Sequence, residues 1–147
     1  MIFIGICTDR LTAVQAFYEK CGYSGTATPD DTIVAATEGS EIVGAARLCG
    51  EEGVLVLRGM YIAETHQRRG VGSRMLIELE KLIGNRAYWG IPFAHLESFY
   101  GQIGFRFLDD EREAPLHLIV RIQTYRARNL ERRNGRVNKI MFRAPRN

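Results

Sequence analysis

The stretch "MYIAETHQRRGVGSRML", residues 60–76, changes from strand-like to helix-like sequence within a few positions. The segment that leads into it, "VLVLRGMYI" (54–62), is almost continuously apolar, which is typical of a central strand covered on both faces. From Val71 to Ile83 apolar residues recur at helical spacing, and Gly84 ends the pattern. Two arginines and two glycines therefore stand where a strand leads into a helix.

This junction has the chemistry of an anion-binding site. A helix N-terminus presents backbone N–H groups without intrahelical partners and a partial positive charge. Gly70 and Gly72 lack the Cβ atom that would keep an anion off the backbone. Arg68 and Arg69 add guanidinium groups that suit phosphate oxygens, and Ser73 adds a hydroxyl. The alternative is that the glycines only ease a tight turn.

Two common phosphate-binding loops do not match this stretch. A Walker loop needs a lysine after its last glycine, and none follows here. A dinucleotide fingerprint needs a third glycine where Met75 stands, and an acidic residue after the next strand, which reads "AYWGI" (87–91). The pattern that remains is Q-x-x-G-x-G between a strand and a long amphipathic helix.

The N-terminal half predicts an antiparallel meander. "MIFIGIC" (1–7) is typical of a short buried strand, and Thr8 or Asp9 is the expected cap of the helix that follows. "TIVAAT" (32–37) and "IVGAARLC" (42–49) flank a Gly-Ser turn and predict a hairpin. With the strand at 54–62, three consecutive antiparallel strands are expected.

The C-terminal half continues with alternating elements. Residues 54–91 form a strand–helix–strand unit, which predicts a right-handed crossover between parallel strands. "AHLESFYGQ" (94–102) predicts a short helix, and "FRFL" (105–108) a strand. "LHLIVRI" (116–122) has strand-like residues, but it also fits a helix that starts at a proline, and a helix over residues 115–131 is favoured. "RVNKIMF" (136–142) predicts the last strand. With no linker or full repeat, the fold class is a single mixed α/β domain over residues 1–147.

The stretch at 60–76 resembles the acyl-CoA-binding motif of the GNAT N-acetyltransferase superfamily, [RQ]-x-x-G-x-[GA]. Gln67, Gly70 and Gly72 match it position by position, and "ESFYGQIGFRF" (97–107) resembles the next motif of that family, F-Y-x-x-x-G-F. The resemblance covers residues 30–108 well. The segment between "CGY" (21–23) and "TIVAAT" is too short for the second N-terminal helix of many members, which often helps to form the acceptor site.

The resemblance implies acetyl-CoA as the cosubstrate and no metal. In this family the pyrophosphate lies on the backbone of the glycine loop. The pantetheine arm pairs with the splayed end of the preceding strand, where one N–H also polarises the thioester carbonyl. The implied cosubstrate-binding residues are Met60, Tyr61, Ile62, Gln67, Arg68, Arg69, Gly70, Val71, Gly72 and Ser73.

The resemblance also implies Tyr100 as the catalytic acid that protonates the departing thiolate. A tyrosine with a reference pKa of about 10 is protonated at neutral pH and can give a proton to a thiolate whose conjugate acid has a pKa of about 8.5. The alternative is a core tyrosine paired with Phe99. Tyr18, in the similar "FYEKCGY" (17–23), is expected to pack in the core. The base stays unassigned, and the acidic or basic residues within conceivable reach are Glu38, Glu41, His95 and Glu97.

Arg58 is unusual because it interrupts an apolar strand, and an unpaired buried charge is costly. It is predicted either to bind a substrate carboxylate or to pair with a glutamate on a neighbouring strand. Trp89 is predicted to line the acceptor pocket or to pack in the core.

Charge is distributed unevenly along the chain. Residues 1–120 carry 11 basic and 16 acidic side chains, a net charge of −5, whereas residues 121–147 carry nine basic and one acidic side chain, a net charge of +8. This basic section leaves nucleic acid open as a partner, although a solvated helix and strand are favoured. No apolar run reaches the ~18 residues of a membrane span, so no membrane partner is expected.

The three cysteines, Cys7, Cys21 and Cys49, are scattered in apolar surroundings and fit reduced thiols in the cytoplasm. The sequence therefore predicts a cytoplasmic N-acetyltransferase that acts on a primary amine of a small molecule. A protein lysine or N-terminal acetyltransferase is the alternative enzyme. A non-catalytic acyl-CoA-binding regulatory module with a nucleic-acid-binding tail is the alternative of another class. A homodimer is left open.

Overall fold

A computed structural model describes all residues, 1–147. The chain folds into two compact units, Met1–Gly84 and Asn85–Asn147. Each has strands packed with helices, as the predicted mixed α/β class requires.

The first unit contains a four-stranded antiparallel sheet. Its strands follow one another in chain order, so the predicted meander is confirmed and gains the N-terminal strand as a fourth member. Two helices accompany it, and a single 3₁₀ turn, Glu64–His66, joins the last strand to the second helix. The elements are β1 (Ile2–Ile6), α1 (Leu11–Cys21), β2 (Thr32–Glu38), β3 (Glu41–Glu51), β4 (Val54–Ile62) and α2 (Val71–Ile83).

Helix α2 packs closely on the sheet because the sheet offers a glycine at the contact. A Cβ atom added to Gly44 of β3 would lie 2.9 Å from the sulfur of Met75. The apolar face of α2 is buried along its whole length, as the periodicity predicted, and each buried side chain contributes roughly 1.5–3 kcal/mol. The buried residues are Val71, Met75, Leu76, Leu79 and Ile83.

One expectation for this unit is wrong. The cap of α1 is neither Thr8 nor Asp9, because the N-cap position is Arg10 and no side chain caps the helix. The most deeply buried strand is β3, where residues 42–49 are all buried, whereas β4 buries only two residues. The reason is the position of β3, which lies between β2 and β4, packs against α1 and approaches α2 at Gly44.

The second unit is built around a small antiparallel sheet in which β7 lies between β5 and β6. The elements are β5 (Tyr88–Gly90), α3 (Glu97–Gly101), β6 (Arg106–Phe107), α4 (Leu116–Arg132) and β7 (Met141–Arg143). Helix α4 begins after Pro115, which confirms the helical prediction for this region. The last strand is shorter than predicted and starts five residues later.

The order β4–α2–β5 confirms the predicted strand–helix–strand sequence of elements. None of the helices is both long enough and apolar enough to cross a membrane.

Candidate functional site

The predicted anion-binding loop lies between β4 and α2 and has a distinctive backbone. Gly70 is the N-cap of α2 with φ +79°, and no side chain caps the helix. Arg68 has φ +64°, one of three non-glycine residues in the chain with positive φ. Such a conformation costs about 1–3 kcal/mol and is often found where backbone clamps a ligand. Left-handed residues next to right-handed ones turn successive N–H groups toward one concave, anion-binding surface.

The loop leaves room for a ligand. A Cβ atom added at Gly70 would meet no atom within 4 Å. Arg68, Arg69 and Ser73 are exposed, whereas Val71 is buried and anchors the first turn of α2. The uncapped helix end and two nearby guanidinium groups fit a phosphate or pyrophosphate without any further residue.

A buried histidine holds the turn before the loop. Nδ1 of His66 lies 2.7 Å from Oγ1 of Thr65, and its Nε2 lies 3.1 Å from Oε1 of Glu38 at the end of β2. The hydrogen bond to His66 lowers the pKa of the Glu38 carboxyl, and the charge of Arg69 acts in the same direction. Glu38 is therefore a support for the loop and a poor candidate for the base.

The side chain of Gln67 also supports the loop. Its Nε2 donates to the carbonyl oxygen of Ile62 at 3.1 Å and so ties the loop to the end of β4. This bond gives the first residue of the Q-x-x-G-x-G pattern a structural role.

The backbone of β4 has two directions at its C-terminal end. Ala63 N–H donates to the carbonyl of Val43 at 2.8 Å. In an antiparallel ladder the N–H and C=O groups of every second residue face the neighbouring strand, so those of Tyr61 face Ala45 of β3. Ile62, between Tyr61 and Ala63, points its backbone groups away from β3. The backbone of Tyr61 therefore faces the sheet, and the binding of the pantetheine arm by Met60, Tyr61 and Ile62 stays a prediction.

A β-bulge in β4 lies just before Tyr61 and includes Met60. The register between β3 and β4 shifts between Ala45 and Arg47, so that Gly59 and Met60 stand opposite the single residue Ala46. Gly59 has φ +62°, the left-handed conformation of the first residue in a glycine-type bulge. A Cβ atom there would lie 2.9 Å from the Tyr23 ring and 3.0 Å from the Tyr18 hydroxyl.

The sequence did not predict a buried arginine, Arg47, which lies next to the same Tyr23 ring. Arg47 of β3 donates to the Thr26 carbonyl at 2.8 Å, to Oδ2 of Asp31 at 2.9 Å and to the Tyr23 hydroxyl at 2.5 Å. Burial alone would lower the pKa of Arg47, but Tyr23 and the Asp31 carboxylate outweigh burial and raise it, so the guanidinium stays charged. These bonds pin the segment between α1 and β2 to the sheet. The signal was present, since an arginine interrupts the apolar run "IVGAARLC".

Tyr18 packs beside this network, which confirms the packing prediction for it. Its ring is fully buried, 4.6 Å from the ring of Tyr23 between centroids. Burial raises the pKa of Tyr18, and Tyr23 adds to the effect, so the hydroxyl is neutral. The Tyr18 hydroxyl and Nε of Arg47 have no hydrogen-bond partner.

Arg58 pairs with Glu51, a glutamate on neighbouring β3, through both Nε and Nη2, the latter at 2.8 Å. This is the structural alternative of the two that the sequence left open. Arg58 stands opposite Arg47 in the ladder, and each has its own carboxylate, which offsets their repulsion. The substrate-carboxylate role of Arg58 stays a prediction.

In the second unit, Tyr100 is buried on α3. Its ring lies edge-on to Phe99, with 5.0 Å between centroids, and 6.2 Å from Phe105. The pairing with Phe99 is therefore observed, and the acid role stays a prediction. Trp89 packs against Phe142 at 4.4 Å and against the core around Ile122, which is the packing alternative.

The basic section is partly structural. Arg143 is buried and donates to the carbonyls of Ile103 and Arg86, and Arg126 pairs with Glu111 at 2.7 Å. Six other cations of this section are exposed: Arg121, Arg132, Arg133, Arg136, Lys139 and Arg146. The structure contains no group of three or more His, Cys, Asp or Glu side chains that could hold a metal ion.

Residues 29–107 match the family model for the acetyltransferase (GNAT) domain. The chain belongs to the GNAT acetyltransferase family. Of the three motif residues, Gly70 is thus the N-cap of α2, Gly72 lies in the first turn of that helix, and Gln67 ties the preceding loop to β4. No curated protein sequence matches the chain significantly.

Solved structures share the fold at low sequence identity. ElaA from Escherichia coli aligns with a TM-score of 0.67 and 16% identity over 97% of this chain and 99% of its own. An aminoglycoside 6'-N-acetyltransferase complexed with coenzyme A gives 0.66 and 14% over 99% of both chains. The ribosomal-protein-S18-alanine N-acetyltransferase from Escherichia coli gives 0.60 and 16% over 99% of this chain and 94% of its own. At these identities the likeness establishes the fold alone.

Proposed function

We propose that this GNAT protein transfers the acetyl group of acetyl-CoA to a primary amine of a small molecule by direct attack in a ternary complex. The observation that carries the proposal is the start of α2, where an uncapped helix end follows left-handed Arg68 and Gly70. That arrangement suits the pyrophosphate of coenzyme A, because the helix end has free N–H groups and the two residues before Gly70 are exposed arginines.

Different parts of the chain hold different parts of the cosubstrate in this proposal. The N–H groups from Arg68 to Ser73 bind the pyrophosphate. The backbone at the end of β4, from Met60 to Ile62, pairs with the amides of the pantetheine arm, as an added strand would. Gln67 acts indirectly, because its side chain fixes the Ile62 carbonyl and thereby the direction in which this strand end points.

The acyl transfer breaks the C–S bond of the thioester as the amine nitrogen forms the new C–N bond. Tyr100 gives its hydroxyl proton to the departing sulfur, and the proton lost by the amine leaves through water. A covalent acetyl-cysteine is not part of the proposal. Burial raises the pKa of the Cys49 thiol to about 12 and also raises that of Cys21, so neither supplies a reactive thiolate at neutral pH.

The acceptor class is tested by release of free coenzyme A from acetyl-CoA in the presence of three sets of amines. These are small polyamines and amino sugars, a lysine-containing peptide, and a peptide with a free N-terminal alanine. Release with the small amines above the rate of hydrolysis supports the proposal. Release of coenzyme A with a peptide but not with the small amines supports a protein lysine or N-terminal acetyltransferase. No release with any amine favours the non-catalytic acyl-CoA-binding module.

A further inference from the structure

The exposed apolar side chains of helix α4 lie in a row. Leu116 and Leu130 are 74% and 80% exposed, and Val120 is 54% exposed. Single exposed apolar residues are common on protein surfaces, but a continuous row of them marks an interaction surface. We therefore expect another molecule to pack on this row.

The row continues through two further exposed residues at heptad-like spacing. Five exposed residues follow one another at intervals of four, three, four and three positions, so they share one face of the helix: Leu116, Val120, Gln123, Ala127 and Leu130. We call these five residues the α4 seam. The core-facing residues Leu118 and Ile122 lie on the opposite face and are buried. The seam is uncharged.

The chemistry of the seam favours another helix over a polyanion. At 3.6 residues per turn, the exposed cations Arg121 and Arg132 lie about 140–160° around the helix from Leu116, away from the seam. Arg126, which is nearer to the seam, is neutralised by Glu111 at 2.7 and 3.0 Å. A nucleic acid or an anionic membrane seated on the seam would meet leucine and valine where it needs cations.

We propose that the occupant of the α4 seam is the α4 seam of a second copy of this chain, packed antiparallel. The order of residues is nearly palindromic, so a two-fold axis at Gln123 places Leu116 against Leu130 of the partner subunit and Val120 against Ala127 of the partner subunit. The two Gln123 amides meet at the axis, where each can donate to and accept from the other. A polar residue in the middle of an apolar seam fixes the register of a helix pair.

The seam is short, and its length sets the expected affinity. A helix of 17 residues is about 25 Å long, so the pair buries less than the roughly 800 Å² per partner of a standard stable interface. We therefore expect a weak dimer, with a dissociation constant on the order of tens of micromolar.

Sedimentation velocity of the full chain tests the proposal. The wild-type protein should shift from monomer to dimer as its concentration rises from about 5 to about 500 micromolar. Leu130→Glu places two charges in the apolar seam and should remain monomeric throughout that range. Because Leu130 is exposed, this variant should fold normally by circular dichroism. Ile77→Glu is the matched control, since Ile77 is 55% exposed on α2, and it should dimerise like the wild type.

A charge exchange tests the antiparallel pairing. Leu116→Lys alone should be monomeric, and the double variant Leu116→Lys/Leu130→Glu should dimerise again, because each lysine then faces a glutamate of the partner. In a parallel pair like charges would face each other, and the double variant would stay monomeric, which contradicts the proposal. A wild-type chain that stays monomeric throughout also overturns it. So does binding of single-stranded RNA or anionic vesicles that Leu130→Glu abolishes, since a different partner would then occupy the seam.

Discussion

Removing the Tyr18 hydroxyl should stabilise the protein. This hydroxyl is buried and has no hydrogen-bond partner, and it lies against the left-handed Gly59. On folding, the Tyr18 hydroxyl therefore loses its hydrogen bonds to water and forms none with the protein. Tyr18→Phe keeps the ring packing against Tyr23 and deletes only the orphaned group.

The magnitude follows from two opposing contributions. A buried polar group without a partner costs about 1–3 kcal/mol. The gap left by a single oxygen atom reduces the gain by less than about 1 kcal/mol, since it is smaller than a methyl-sized cavity. We expect the free energy of unfolding to rise by about 1–2 kcal/mol, which corresponds to an increase in Tm of roughly 2–8 °C for a chain of this size.

Tyr23→Phe is the matched control, because its ring is adjacent and its hydroxyl has a partner. That hydroxyl accepts from the buried guanidinium of Arg47, and a bond to a charged group contributes about 1.5–3 kcal/mol. Urea unfolding should therefore show opposite signs for the two variants. A Tyr18→Phe protein that is less stable than the wild type by 1 kcal/mol or more would refute the reasoning.

Four further outcomes are expected. Gly72→Trp should abolish acetyl-CoA binding in calorimetry with the unfolding midpoint nearly unchanged, because the indole fills the helix end. Tyr100→Phe should lower kcat while KM for acetyl-CoA stays the same, and an equal loss in both would assign Tyr100 to packing. Gly59→Ala should lower the free energy of unfolding by at least about 1 kcal/mol, since alanine is strained at φ +62° and its Cβ meets the Tyr23 ring and the Tyr18 hydroxyl. The hydrogen bond to His66 lowers the pKa of Glu38 in the folded protein. The bond therefore stabilises the fold fully above the unfolded pKa of about 4.3, and this stabilisation is lost as the pH falls through the folded pKa. Acid unfolding of Glu38→Gln should show a shallower dependence on pH below that value.

The regular elements of the fold were predictable where one local rule decided them. The boundaries of β4 and the end of α2 follow from an apolar run and a glycine. The proline before α4 decided an ambiguous segment correctly. The deeper burial of β3 was not predictable, because the sequences of β3 and β4 are both mostly apolar. The burial of a strand depends on its position in the sheet, which the strand's own sequence does not specify.

The candidate site was predictable only in part. The Q-x-x-G-x-G spacing located the helix end, because glycine and a free helix terminus are local features. The direction of the Tyr61 backbone depends on the register with β3, which the sequence of β4 alone does not encode. The network of Arg47, Asp31 and Tyr23 joins residues up to 24 positions apart, so it became visible only in the fold.

The measurement that tests the account most directly is a calorimetric titration of acetyl-CoA into the protein, with desulfo-CoA and ATP as comparison ligands. The account predicts saturable binding of both coenzyme A forms, much tighter than that of ATP, because the proposal assigns the pyrophosphate to the segment from Arg68 to Ser73 and the pantetheine arm to the backbone from Met60 to Ile62. Equal affinity for ATP and acetyl-CoA would show that the helix end binds phosphates without the strand. No binding at high micromolar acetyl-CoA would contradict the central claim and leave Gly70 and Gly72 as residues of a turn.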